Sequence, residues 1–195
     1  LLSAVFPQNE VAGPCRPEVR EVISGGNYIC FQVNNYCSPA AQKKFARQLD
    51  LLQEKLGLRV ILLPIGRAAG HGDQYALQAI SKKMRRPSYS PPLNLTIGEI
   101  LAFLAKAKCF AGTSLHGIIT AMSYDVPHVA IKRIPKVTSF IDTWALPEMR
   151  EVPSQNELAE AVESRLGRFS EALAGNREQL QDECRRQFSE FAAAL

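Results

Sequence analysis

Between Ala107 and Lys136 the chain gathers residue types that suit chemistry on a charged substrate: adjacent hydroxyls, an imidazole and a run of cations. The apolar Cys109-Phe110-Ala111 breaks at Gly112, the polar Thr113 and Ser114 follow, and Leu115, Ile118, Ile119 and Met122 then recur at helical spacing. This reads as strand, tight turn, helix. A second apolar run, Val129-Ala130-Ile131, comes after Asp125-Val126-Pro127 and leads into Lys132-Arg133 and Pro135-Lys136, giving a β-α-β-loop unit. The first turn of such a unit presents unpaired backbone N–H groups beside hydroxyls, with the positive end of the helix dipole behind them. That combination seats anions. His116 falls in the first helical turn, where an imidazole can act as acid, base or hydrogen-bond donor to an anion.

The same residues admit a plainer role, because Gly-Thr-Ser is also an ordinary N-cap and strand–turn–helix units recur in α/β folds of every activity. At the level of residue types both readings stand.

The flanking sequence supplies the elements that would hold this unit. Tyr28-Ile29-Cys30-Phe31-Gln32-Val33 is a β-prone run bounded by Gly25-Gly26 and Asn34-Asn35, and it is expected to form the first strand, with polar residues at its end. Ser38 and Pro39 then open a helix whose stripe is Phe45, Leu49, Leu52 and Leu56, and Gly57 closes it. Arg59 to Pro64 is nearly all apolar, as a strand buried on both faces requires. It runs into a Gly-rich loop, Arg67 to Gly72, that contains His71, and Asp73 is the expected N-cap of the next helix. Arg67 and Asn34, both near strand ends, join the candidate ligand contacts, since ligands gather at the carboxyl ends of strands in open α/β sheets.

Further along, a short edge strand is expected near Ser88–Ser90. Thr96-Ile97-Gly98-Glu99 has the spacing of a capping box ahead of Ile100, Leu101 and Leu104. Val137 to Trp144 is expected to be helical with Trp144 turned to the core. Ser154-Gln155-Asn156-Glu157 is a second capping box, and Gly175-Asn176 is expected to break the pattern before a last surface helix carrying Leu180, Cys184, Phe188, Phe191 and Leu195. Helices alternating with strands through short connections imply a parallel sheet covered on both faces, a Rossmann-like α/β sandwich over residues 27–195. Residues 1–26, rich in Pro and Gly, are expected to be a linker or the tail of a preceding domain.

Composition excludes several classes. A net charge of +4 with acids and bases interspersed does not make a nucleic-acid platform. The five cysteines form no C-x-x-C pair, which points to reduced thiols in a cytoplasmic protein. No run approaches the roughly 20 apolar residues that span a bilayer, although peripheral membrane association is compatible with the sequence. G-x-G-x-x-G after the first strand, the P-loop, G-x-S-x-G and H-E-x-x-H are all absent, so neither an organic cofactor nor a metal is expected. The chain does not begin with Met, and an unseen N-terminal domain is expected.

Glu99-Ile100, Ala111-Gly112-Thr113-Ser114-Leu115-His116-Gly117, Ala121, Val126-Pro127, Val129-Ala130-Ile131 and Lys136 together resemble the C-terminal half of the polysaccharide pyruvyl transferase family, most strongly over residues 96–140. The resemblance implies the C-terminal domain of a GT-B-like transferase that moves a pyruvyl group from phosphoenolpyruvate to a sugar or lipid-linked glycan acceptor. It implies His116 as general acid or phosphate hydrogen-bond donor, Gly112, Thr113 and Ser114 as the anion seat, and Lys132, Arg133 and Lys136 as charge from the next loop. Ser114 and Asn34 stand where many members carry Arg, with Arg67 or Arg133 able to compensate. The alternatives are a GT-B-like glycosyltransferase that uses a nucleotide-sugar, or another anionic donor, and a non-catalytic domain that binds a glycan precursor.

Overall fold

The computed structural model describes residues 7–66 and 72–193. Four parallel strands, β1 (Tyr28–Gln32), β2 (Arg59–Leu62), β3 (Cys109–Gly112) and β4 (His128–Ala130), form one sheet in the order β2-β1-β3-β4. Ile29 pairs with Val60 on one side and with Cys109 on the other, so β1 is central. The strands are buried on both faces apart from Arg59, and alternate residues enter two separate cores. Tyr28, Cys30, Ile61 and Phe110 point to one face, which is covered by α1 (Pro17–Ser24), α4 (Ile97–Ala105), α5 (Leu115–Ser123), α6 (Pro135–Trp144) and the start of α8 (Ser170–Ala193). Ile29, Phe31, Val60 and Ala111 point to the other, which is covered by α2 (Pro39–Leu56), α3 (Asp73–Ser81) and α7 (Leu158–Arg165). This is the expected Rossmann-like sandwich.

Local chemistry sets the helix ends that matter for the site. In α2 the Ser38 Oγ accepts the Ala41 N–H at 3.3 Å, Pro39 takes the first helical position, and Gly57 closes the helix at φ 62°. In α4 the capping box is complete: Glu99 N–H donates to Thr96 Oγ1 at 3.2 Å and Thr96 N–H to Glu99 Oε2 at 2.9 Å. Glu99 also holds the segment before α1, accepting from Arg16 Nε at 2.7 Å, Arg16 Nη2 at 3.0 Å and the Arg16 N–H at 3.2 Å. Within residues 7–26, the stretch expected to be a linker or a tail, Val11, Cys15, Val19 and Ile23 are buried in the same cluster as Phe103 and Phe110.

Several local expectations are corrected. Asp73 is the first residue of α3, preceded by Gly72 in the left-handed region at φ 52°, and its carboxylate bonds elsewhere. The final helix runs unbroken through Gly175-Asn176, because Leu173 and Leu180 pack on the core and Arg177 Nε donates to Asp125 at 2.9 Å. An interior glycine costs a helix only about 1 kcal/mol, which such contacts exceed. The Ser154–Glu157 spacing makes a single turn, with α7 starting at Leu158. The edge strand near Ser88–Ser90 reduces to one parallel bridge between Tyr89 and Ile61.

Candidate functional site

The order β2-β1-β3-β4 sends the chain leaving β1 toward one edge of the sheet and the chain leaving β3 toward the other. The crevice between their carboxyl ends is the switch point at which open α/β sheets bind ligands. A cavity of about 190 Å³ lies there, lined on its polar side by Asn34, Ser38, Thr113 and Lys132 and on its apolar side by Tyr36 and Ile131, among others. Three of the predicted residues, Asn34, Thr113 and Lys132, are thus brought together from the ends of β1, β3 and β4. Larger is a 310 Å³ cavity at the amino end of the sheet, beside Asn27, Lys108 and Pro127. None of the predicted residues lines it.

Each lining residue has a local reason for its position. Asn34 Oδ1 accepts the Tyr36 N–H at 3.3 Å, so its side chain shapes a turn. Thr113 is 7% exposed, and both of its donors are engaged: its N–H reaches Gln32 Oε1 at 2.9 Å and its hydroxyl reaches the same oxygen at 3.2 Å. Gln32 is itself buried and donates through Nε2 to Asp73 Oδ2 at 2.8 Å. The same carboxylate oxygen accepts the N–H groups of Ile65 at 3.2 Å and Gly66 at 2.7 Å. One chain of side chains, Thr113–Gln32–Asp73, therefore ties together the loops that follow β1, β2 and β3. Composition showed Gln32 only as a polar end to an apolar strand; a polar side chain at the carboxyl end of a central strand was the available signal.

Ser114 caps α5, its Oγ accepting the Gly117 N–H at 3.2 Å. The N–H groups of Ser114, Leu115 and His116 have no hydrogen-bond partner among the described residues. They make an open, dipole-assisted helix start. His116 is exposed at the second position of α5 and does not line the cavity. Lys132, Arg133 and Lys136 are exposed, and among the described residues no carboxylate pairs with them. Arg133 and Lys136 do not line the cavity. Cys37 does line it; burial pushes its thiol up, with Lys132 and Lys83 opposing, so it is not a ready thiolate. Arg67 and His71 lie outside the described residues.

The two glycines of the motif are explained by packing. A Cβ on Gly112 would fall 2.6 Å from the Phe110 ring, and one on Gly117 would meet the same ring.

Residues 5–133 match the family described as polysaccharide pyruvyl transferase. The chain belongs to this family. The matched stretch includes Asn34, the turn from Gly112 to His116 and Lys132-Arg133, and it stops short of Lys136. No curated protein matches the chain. Among solved structures, the glycotransferase of kitacinnamycin is similar at 18% identity and a TM-score of 0.52, over 86% of this chain and 41% of that one. At that identity the likeness carries the fold alone, and this chain spans less than half the length of that glycotransferase. Among the described residues no helix is long and apolar enough to cross a membrane.

Proposed function

We propose that this pyruvyl transferase family member transfers a pyruvyl group from phosphoenolpyruvate to a sugar of a cell-surface polysaccharide or its lipid-linked precursor, in the cytoplasm. The observation that supports this most is the open helix start inside the family-matched stretch, with the unpaired Lys132 at the adjoining cavity. Phosphoenolpyruvate carries a phosphate and a carboxylate, and both need N–H groups or cations. The N–H groups of Ser114, Leu115 and His116 receive one of them in this reading, and Lys132, with Arg133 and Lys136 on the same loop, receives the other. A donor held between them lies across the start of α5. A sugar hydroxyl attacks the carbon that bears the phosphate ester while His116 protonates the methylene carbon; a second hydroxyl then displaces phosphate and closes the ketal.

The test is thermal melting of the full-length protein with phosphoenolpyruvate and, separately, with a panel of nucleotide-sugars. A ligand that binds only the native state raises the midpoint according to its affinity. Phosphoenolpyruvate is expected to raise it. A rise with nucleotide-sugars alone overturns the donor and favours a glycosyltransferase, and no rise with either favours a non-catalytic binding domain.

A further inference from the structure

Two constraints fix which way the buried Gln32 amide faces. Asp73 Oδ2 already accepts two backbone N–H groups, and a carboxylate oxygen has no hydrogen to give, so the Gln32 atom 2.8 Å away must be the amide nitrogen. The Thr113 backbone N–H can only donate, so the Gln32 atom 2.9 Å from it must be the amide oxygen. The two constraints agree. Gln32 Oε1 therefore also faces the Thr113 hydroxyl at 3.2 Å. Turning that O–H elsewhere would set two oxygens lone pair to lone pair in a buried site, so the hydroxyl hydrogen points inward at Gln32. With its hydrogen committed to Gln32, the Thr113 hydroxyl has only lone pairs left to offer, and Thr113 is among the residues that line the cavity.

A hydrogen-bond acceptor is the wrong partner for phosphate or carboxylate and the right one for a hydroxyl. We infer that Thr113 Oγ1 accepts a hydrogen bond from a hydroxyl of the sugar acceptor, and that Gln32, anchored by Asp73, is a positioning residue that sets this polarity. The inference rests on the transferase reading above and divides the site in two. Anionic groups of the donor go to the N–H groups of Ser114, Leu115 and His116, and the hydroxyl-bearing substrate goes to the Thr113 side of the cavity. Gly112 preserves the arrangement, because a Cβ there would sit 3.0 Å from Gln32 Oε1 and 3.1 Å from its backbone oxygen.

Calorimetric titration of the full-length protein with p-nitrophenyl hexosides and with phosphoenolpyruvate tests this in wild type, Thr113→Val, Thr113→Ser and Gln32→Leu. Valine keeps the shape of threonine and removes the oxygen. Thr113→Val is expected to weaken hexoside binding about tenfold, the worth of one hydrogen bond, while phosphoenolpyruvate affinity stays within about twofold. Thr113→Ser recovers most of the loss, and Gln32→Leu, which frees the hydroxyl to turn, shows the hexoside defect again. Weakened phosphoenolpyruvate binding in Thr113→Val with hexosides unaffected overturns the inference and leaves the transferase reading standing. A wild type that binds no hexoside also overturns it. The expected hexoside loss in a protein that ignores phosphoenolpyruvate supports the role of Thr113 and removes the proposed donor.

Discussion

The ring of Phe110 occupies the space that a side chain on Gly117 would need, and it presses equally on Gly112, seven and two residues from itself in a chain that has turned from strand into helix. Both glycines are thereby required for the first turn of α5 to lie against β3. The Ile65 side chain closes on the same spot, 3.1 Å from where a Gly117 Cβ would stand, so that Cβ would be crowded from two sides. Gly117→Ala is expected to destabilise the protein by about 1–3 kcal/mol, the usual cost of overpacking a filled core. Phe110→Leu in the same chain is expected to recover part of that loss, and a double-mutant cycle of denaturant midpoints measures it.

Glu99 gives the fold an acid-sensitive joint. Its carboxyl is held down at about 2, first by the Arg16 guanidinium and then by the Thr96 and Arg16 backbone N–H groups, with burial opposing. A carboxyl whose folded value is depressed contributes stability that is whole above its ordinary value near 4.5 and is lost as pH falls toward 2. Glu99→Gln is expected to cost on the order of 1–3 kcal/mol at neutral pH, because Arg16 loses a charged partner. The gap from wild type should close between pH 4.5 and pH 2. Chemical denaturation at a series of pH values checks this; a gap that does not change with pH would place the effect in packing.

How much of this was legible in the sequence depended on range. The α2 and α4 helices could be read because cap, stripe and stop signal sit within a few residues of one another, as with Thr96 and Glu99. The partner of Glu99 could not, since Arg16 is 83 residues away and its contact exists only once α1 has docked on α4. Asp73 looks like an N-cap in sequence, yet its carboxylate bonds Gln32 and the loop after β2, because these donors converge on it in the fold. The glycine-threonine-serine turn was legible as a turn. Its polarity was not, because the atom that determines it, Gln32 Oε1, belongs to a residue 81 positions earlier.

His128 opens β4 with a fully buried ring, neither of whose nitrogens has a hydrogen-bond partner among the described residues. Burial, and then the charge of Arg165, holds its basicity down to about 3 from 6.5. The unfolded chain takes up a proton through pH 6.5 while the folded one does not until about pH 3, so this contribution is complete above 6.5 and is lost as pH falls across that window. The slope reaches at most about 1.4 kcal/mol per pH unit. His128→Leu, which removes two unsatisfied nitrogens, is expected to be neutral or stabilising by about 1 kcal/mol at pH 7. It should also flatten the stability profile between pH 6.5 and pH 4.5, above the range where Glu99 acts. Urea midpoints across that interval decide it.

His116 is the sharpest test of the proposed chemistry because its position allows two roles with different signatures. Its backbone N–H belongs to the open helix start and survives any substitution, whereas its exposed imidazole projects from the second residue of α5. If the ring only helps to hold phosphate, His116→Ala raises the KM for phosphoenolpyruvate and spares kcat, and His116→Asn restores much of the affinity by supplying a neutral donor. If the ring delivers the proton to the methylene carbon, kcat falls by about 10²–10⁴-fold and Asn does not rescue it. The second pattern is expected. It follows from the groups around the site: in the proposed reading Lys132, Arg133 and Lys136 serve the donor's anions, and at the cavity beside the helix start burial pushes the Cys37 thiol up, which leaves the phenol of Tyr36 as the group to test against the imidazole. Steady-state kinetics of the two variants, with Tyr36→Phe as the control for the phenol, separate these outcomes, and an unchanged kcat in His116→Ala removes the imidazole from the mechanism.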